Sequence, residues 1–122
     1  MKKILIVDDI EEYLNSLERV LSDEYIVLKA RNLNEAKEKT KEGIDIAIVD
    51  IRLSETDMEN KDGLIYLEWV KMNYPEIPVI MMSAYREFDL AVEALNLGAK
   101  YFLKKPISIK ELKGTIKTLL KE

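Results

Sequence analysis

Two carboxylates stand side by side at Asp8 and Asp9, directly behind the apolar run ILIV at 4–7. At about 4 Å and an effective dielectric near 20, two such charges repel by roughly 4 kcal/mol. The pair persists if both side chains are solvated or if a cation sits between them. A third carboxylate, Asp50, closes the apolar run IAIV at 46–49, and Ser83 closes VIMM at 79–82. Lys104, Lys105 and Pro106 follow YFL at 101–103. Three carboxylates in a chain without histidine or cysteine suit a hard, oxygen-seeking, octahedral cation such as Mg2+, with a lysine as further counter-charge.

Whether these groups meet depends on the elements that carry them. Runs reading as buried strands lie at 4–7, 25–30, 45–50, 77–83 and 99–103. Helix-period segments lie between and after them, at 10–22, 32–43, 63–73, 87–98 and 108–120. The first places Ile10, Tyr13, Leu14, Leu17, Val20 and Leu21 on one face, and the last places Ile109, Leu112, Ile116, Leu119 and Leu120 on one face. Asn32 with Glu35, and Ser108 with Glu111, read as helix starts, and Gly43 and Gly98 as helix ends. Strands alternating with helices demand parallel pairing, right-handed crossovers and helices on both faces of an α/β sheet. In such a sheet ligands bind beyond the carboxyl ends of the strands. Asp8, Asp9, Asp50, Ser83 and one or both of Lys104 and Lys105 then gather at one edge, which gives the opening pair its shared cation.

The remaining composition narrows the chemistry. The chain has 122 residues, 48% hydrophobic, with no linker, repeat or low-complexity stretch, and reads as one domain over 1–122. A net charge of −4 argues against nucleic-acid binding by this chain. The absence of cysteine and histidine removes thiolate and zinc–histidine sites, Ser-His-Asp triads and any phosphohistidine of its own. The apolar run near the N-terminus is too short for a signal peptide or a membrane span, so a cytoplasmic location is the expectation.

The ordered set ILIVDD, DIAIVDIRL, VIMMSA and YFLKKP resembles the signatures of a response-regulator receiver domain, the phosphoacceptor of two-component signalling. The resemblance spans the whole chain. It implies a flavodoxin-like (βα)5 three-layer sandwich with strand order 2-1-3-4-5. It makes Asp50 the phosphoacceptor, with Mg2+ held by Asp9 directly, by Asp8 mainly through water, by Asp50 and by the backbone carbonyl of Arg52. Ser83 would bond the phosphoryl oxygen and Lys105, rather than Lys104, would pair with it. Phe102, rather than Tyr101, would move with Ser83 on activation and reshape the surface of the fourth helix, fifth strand and fifth helix. A cis peptide between Lys105 and Pro106 is also implied, although only roughly one X-Pro bond in twenty is cis. The implied partners are a sensor histidine kinase or phosphotransfer protein upstream and an effector domain or target protein downstream. A homodimer through the fourth helix–fifth strand–fifth helix surface is a further option. Such a domain is not an enzyme beyond its own phosphorylation and dephosphorylation.

Two features depart from the family pattern. Gly63 lies thirteen residues beyond Asp50, a longer spacing than usual, so 51–62 holds an insertion. Surface insertions cost little, which makes tolerance the preferred reading over shielding of the site or kinase contact. Arg52 and Tyr85, which flank the site, are bulky and imply slow self-dephosphorylation. Taken singly, Asp9 could cap the first helix, Ser83 could be a turn hydroxyl and Lys105 a solvated cation. Only their joint placement favours a site. Trp69, Met72 and Tyr101 read as packing. The alternatives are a phosphorylation-independent protein-binding module, which should lack one of these groups, and two enzyme types. An FMN-binding flavodoxin would need Gly, Ser or Thr after the first strand, and a haloacid-dehalogenase-type phosphatase would need Asp at position 52.

Overall fold

The alternation read from the sequence appears as β1 (Lys3–Val7), α1 (Glu11–Leu21), β2 (Ile26–Ala30), α2 (Leu33–Lys41), β3 (Ile46–Asp50), α3 (Asp62–Asn73), β4 (Val79–Ser83), α4 (Phe88–Asn96), β5 (Tyr101–Lys104) and α5 (Ile109–Leu120). The computed structural model describes residues 1–84 and 88–122. All four strand pairings are parallel, in the order β2-β1-β3-β4-β5. The fold is the α/β, flavodoxin-like (βα)5 sandwich that the resemblance implies.

Strand side chains alternate between the two faces, and the core divides accordingly. Leu5, Val7, Val49 and Met81 pack with α2, α3 and α4 residues, among them Ala36, Leu67 and Ala94. Ile4, Ile6, Ile48 and Met82 pack on the other face with Leu14, Leu17 and Leu21 of α1 and Leu112 and Ile116 of α5. The central strands β3 and β4 are buried throughout, as their unbroken apolar runs demand. The edge strands β2 and β5 are only partly covered, and Ile26 and Tyr101 are exposed. Tyr101, expected as packing, instead donates its hydroxyl to Glu111 Oε2 at 2.8 Å. Met72 is likewise corrected, being 84% exposed on α3, while Trp69 does pack against the core and stacks near Tyr66 and Tyr74.

The helix ends follow the expected chemistry with one refinement. The Asn32 and Ser108 side chains accept from the amides of Glu35 and Glu111, and Gly43 and Gly98 adopt the left-handed conformations that end α2 and α4. The reciprocal half of each capping box is redirected. Glu35 accepts from the Arg31 amide, and Glu111 is engaged by Tyr101. A polar pair also ties α2 to α3 inside the core. Thr40 Oγ1 donates to the Ala36 carbonyl, so Tyr66 must donate to Thr40, each at 2.7 Å. Burial pushes the Tyr66 hydroxyl up to about 12.

Gly63 sets how closely α3 approaches the end of β3. A Cβ there would lie 2.1 Å from the Asp50 carbonyl oxygen and 2.7 Å from the Ile51 Cα, both backbone atoms that cannot step aside alone. The Gly63 amide also donates to the Ile51 carbonyl at 2.8 Å. Gly63→Ala is therefore expected to lower unfolding stability by about 2–3 kcal/mol, measurable by urea denaturation. An unchanged midpoint would show that α3 is free to move away from Asp50.

Candidate functional site

Strand register brings the polar residues together. Val7 lies opposite both Ala30 and Val49, so Asp8 and Asp50, one residue further along, are neighbours across β1 and β3. Asp50 pairs with Met82, and Ser83 pairs with Lys104, which puts Ser83 and Lys105 at the next level. The Lys105 amide donates to the Ser83 carbonyl at 2.8 Å, and the Lys105–Pro106 peptide is cis. Asp8 is held by its amide, which donates to the Ala30 carbonyl, and by its Oδ1, which accepts from the Ile10 amide at 3.0 Å. No side chain caps α1, so Asp9 does not serve the capping role open to it.

The carboxylate oxygens of Asp8, Asp9 and Asp50 all lie within 4.8 Å of one another. Lys105 Nζ donates to Asp8 Oδ2 at 2.7 Å and to Asp50 Oδ2 at 3.3 Å. These are buried ion pairs: the side chains of Lys105, Asp8 and Asp50 are 8%, 0% and 10% exposed. The third side of the ammonium faces the Tyr13 ring, 4.0 Å from its centroid. Asp9, Asp50, Arg52, Ser83 and Lys105 line a cleft of about 50 Å3, together with Glu55. Lys104 is exposed and takes no part in these pairs.

The electrostatics are those of a cluster short of positive charge. Burial, then Asp8 and Asp9, pushes the Asp50 carboxyl up to about 7 against the opposing pull of Lys105. Burial raises Asp9 as well, aided by Asp8 and Glu55. Burial would lower Lys105, yet Asp50 and Asp8 outweigh it and hold the ammonium above its ordinary value. Lys105 pairs with two of the three crowded carboxylates, and the trio, all oxygen donors, fits a hard divalent ion.

The insertion lies on the surface, with 55–59 exposed, but it is ordered by side chains that bond its own backbone. Asn60 Oδ1 accepts from the amides of Leu53 and Asp62, each at 2.9 Å, and Ser54 and Asp57 accept from the next turn. This folds 51–61 back so that Glu55 forms part of the cleft wall. An Arg52 guanidinium nitrogen meets Met58 Sδ at 2.7 Å. Tyr85 lies outside the described residues. Phe102 is half-buried and packs on the α2–α4 side of the core. Sequence reasoning placed Tyr13 on the inner helix face without seeing its contact with Lys105. It took Gly63 as a spacing mark and a helix start, without its close approach to the Asp50 carbonyl. Neither role has a local sequence signal, because each depends on which strand end lies opposite.

Comparison with known proteins places this geometry in context. The sequence profile of the family described as response regulator receiver domain matches residues 4–117. Response regulator protein PilR of Pseudomonas aeruginosa is 34% identical over 98% of this chain, and transcriptional regulatory protein ZraR of Klebsiella oxytoca is 38% identical over 96%. Each match takes in 26% of the relative, so the chain spans about a quarter of the length of these proteins. Among solved structures, a CheY-like receiver domain protein from Methanospirillum hungatei superposes with a TM-score of 0.88 at 30% identity, over 99% of this chain and 94% of that one. The beryllofluoride-activated NtrC4 receiver domain dimer superposes with a TM-score of 0.87 at 33% identity, over 99% and 98%.

Proposed function

The chain belongs to the response regulator receiver domain family, and from that premise we propose that residues 1–122 form one receiver domain that takes a phosphoryl group onto Asp50. The donor is the phosphohistidine of a sensor histidine kinase or phosphotransfer protein. The observation that carries this reading is Lys105 bridging Asp8 and Asp50 within a trio of carboxylates at the carboxyl edge of the sheet.

Asp8, Asp9, Asp50 and the Arg52 carbonyl would hold Mg2+, which when bound supplies positive charge beside the phosphoryl oxygens. An Asp50 carboxylate oxygen attacks phosphorus, the histidine nitrogen leaves with its bonding electrons, and the P–N bond is exchanged for a P–O bond. Lys105 turns from the Asp50 carboxylate to a phosphoryl oxygen, and the Ser83 hydroxyl donates to another. Ser83 moves toward the phosphoryl group and Phe102 turns inward behind it, biasing the α4–β5–α5 surface toward one of two states. That surface exposes Val92, Leu95, Tyr101 and Ile109, an apolar set suited to a partner protein, a second copy or an effector domain. The protein is a cytoplasmic signalling domain that catalyses only its own phosphorylation and dephosphorylation. No helix among the described residues is long and apolar enough to cross a membrane.

Beryllofluoride with Mg2+ tests the reading against the phosphorylation-independent binding module. Mg2+ alone should shift amides around the carboxylate trio, whereas shifts at Ser83 and Lys105 and along α4–β5–α5 are expected only when both are added. A spectrum indifferent to both would favour the binding module.

The Asp50 environment yields a pH prediction. Its folded-state carboxyl titrates near 7 instead of the ordinary 3.8, so the folded protein binds the extra proton. Stability of the metal-free protein should therefore fall as pH rises from about 4 to about 7 and level off above. Mg2+ must displace that proton, so its apparent affinity should rise with pH, by up to about tenfold per unit below 7, and flatten beyond. Isothermal titration between pH 5.5 and 8.5 checks this, and a flat profile would contradict it.

A further inference from the structure

The structure assigns Tyr13 as a positioning residue that holds the Lys105 ammonium through its aromatic face, an inference that rests on the phosphoacceptor reading. The Lys105 Nζ sits 4.0 Å from the ring centroid, close enough for the cation to feel the negative face of the ring. The contact is sheltered, since the Lys105 side chain is 8% exposed and Tyr13 packs against the α1–α5 side of the core. Shelter matters because such an attraction strengthens when water is excluded.

Among the described residues the other partners of the ammonium are Asp8 and Asp50. Both are carboxylates whose bonding changes during the proposed reaction. Asp50 becomes esterified, and Asp8 turns toward the metal shell. Tyr13 belongs to α1 and undergoes neither change. A ring face is also a broad, weakly directional acceptor, so the ammonium can slide from a carboxylate to a phosphoryl oxygen without leaving it. A fixed hydrogen-bond acceptor at this place would resist that slide. Tyr13 thus keeps Lys105 aimed at the cleft while its charged partners are exchanged. The phenol oxygen has no part in this, which separates the role from one in proton transfer.

The test varies the ring at position 13 in the full chain and follows labelling of Asp50 by acetyl phosphate across Mg2+ and donor concentrations. Tyr13→Phe keeps the ring face and should label at close to the wild-type rate. Tyr13→Leu should label about five-fold more slowly, with its Mg2+ half-saturation unchanged. A trifluorinated phenylalanine at 13 keeps the shape and removes most of the negative face, and it should fall with Leu. Circular dichroism melts confirm that each variant is folded. Equal rates for the fluorinated and unfluorinated rings would overturn the inference, because a purely packing role ignores ring electrostatics. Failure of the wild-type chain to label at all would instead overturn the phosphoacceptor reading, so the two failures are distinct.

Discussion

Asp50→Asn is expected to take up no phosphoryl group from acetyl phosphate and Mg2+ under conditions that label the wild-type chain to completion. The substitution is nearly isosteric, so the packing of β3 between β1 and β4 survives. What disappears is the one carboxylate that combines an opening to the cleft with a lysine at its side. Asp8 cannot take over, because it is fully buried, with one oxygen on the Ile10 amide and the other on Lys105. Asp9 is half-buried and forms no ion pair with Lys105 within 4 Å; the ammonium acts on it only at a distance. Removing Asp50 also relieves the burial of a carboxylate, and its repulsion by Asp8 and Asp9, that push its carboxyl up to about 7. The metal-free variant should accordingly melt no lower than wild type at pH 8, so loss of labelling would not trace to loss of fold. Intact-mass spectrometry reads the first outcome and a thermal melt the second. Labelling of Asp50→Asn at the wild-type rate would transfer the phosphoacceptor role elsewhere.

Replacing Lys105 removes the cation that bridges Asp8 and Asp50. Lys105→Met retains the aliphatic stem that packs near Tyr13 and deletes only the charge. Asp8 is then left fully buried without its partner at 2.7 Å, and Asp50 without its partner at 3.3 Å. Breaking a buried pair from one side costs about 3–5 kcal/mol. The upper part of that range applies without metal at pH 8, where Asp50 carries its charge. The cost should shrink toward pH 5, since Asp50 titrates near 7 even with Lys105 present and loses its charge more readily without it. Millimolar Mg2+ should restore part of the lost stability by supplying a replacement cation, yet labelling should stay at least about tenfold below wild type for want of the phosphoryl partner. Urea denaturation with and without Mg2+ at both pH values checks the stability half. A variant as stable as wild type without metal would show that the ion pairs seen here do not hold the cluster together.

The two readings differ in how far the sequence could carry them. Strand and helix placement was legible because the apolar runs at 4–7 and 46–49 are unbroken and the α1 and α5 stripes keep helical spacing. Boundaries moved by a residue or two where flanks are ambiguous: residues 77 and 78 read as strand, yet β4 begins at Val79 after Pro78. The gathering of Asp8, Asp9, Asp50, Ser83 and a lysine at 104 or 105 followed from parallel topology, since each closes or follows a strand, and the family resemblance chose Lys105. Contacts that depend on where a helix side chain lands against a distant strand end were not legible. Tyr13 and Lys105 lie 92 residues apart on different elements, and no local pattern joins them. Gly63 looked like a helix start, and only the approach of α3 to the Asp50 carbonyl shows why a side chain is excluded. Residues 51–62 looked featureless because they are ordered by side chains bonding backbone, which leaves no periodicity to find.

The most direct test of the phosphoacceptor reading is to map the adduct itself. The wild-type chain is treated with acetyl phosphate and Mg2+, reduced with borohydride to convert any aspartyl phosphate to homoserine, and sequenced by tandem mass spectrometry. Homoserine at position 50 alone, and only when Mg2+ is present, is the predicted result. Homoserine at position 8 or 9, or none at any position while beryllofluoride also leaves the cleft unperturbed, would contradict it.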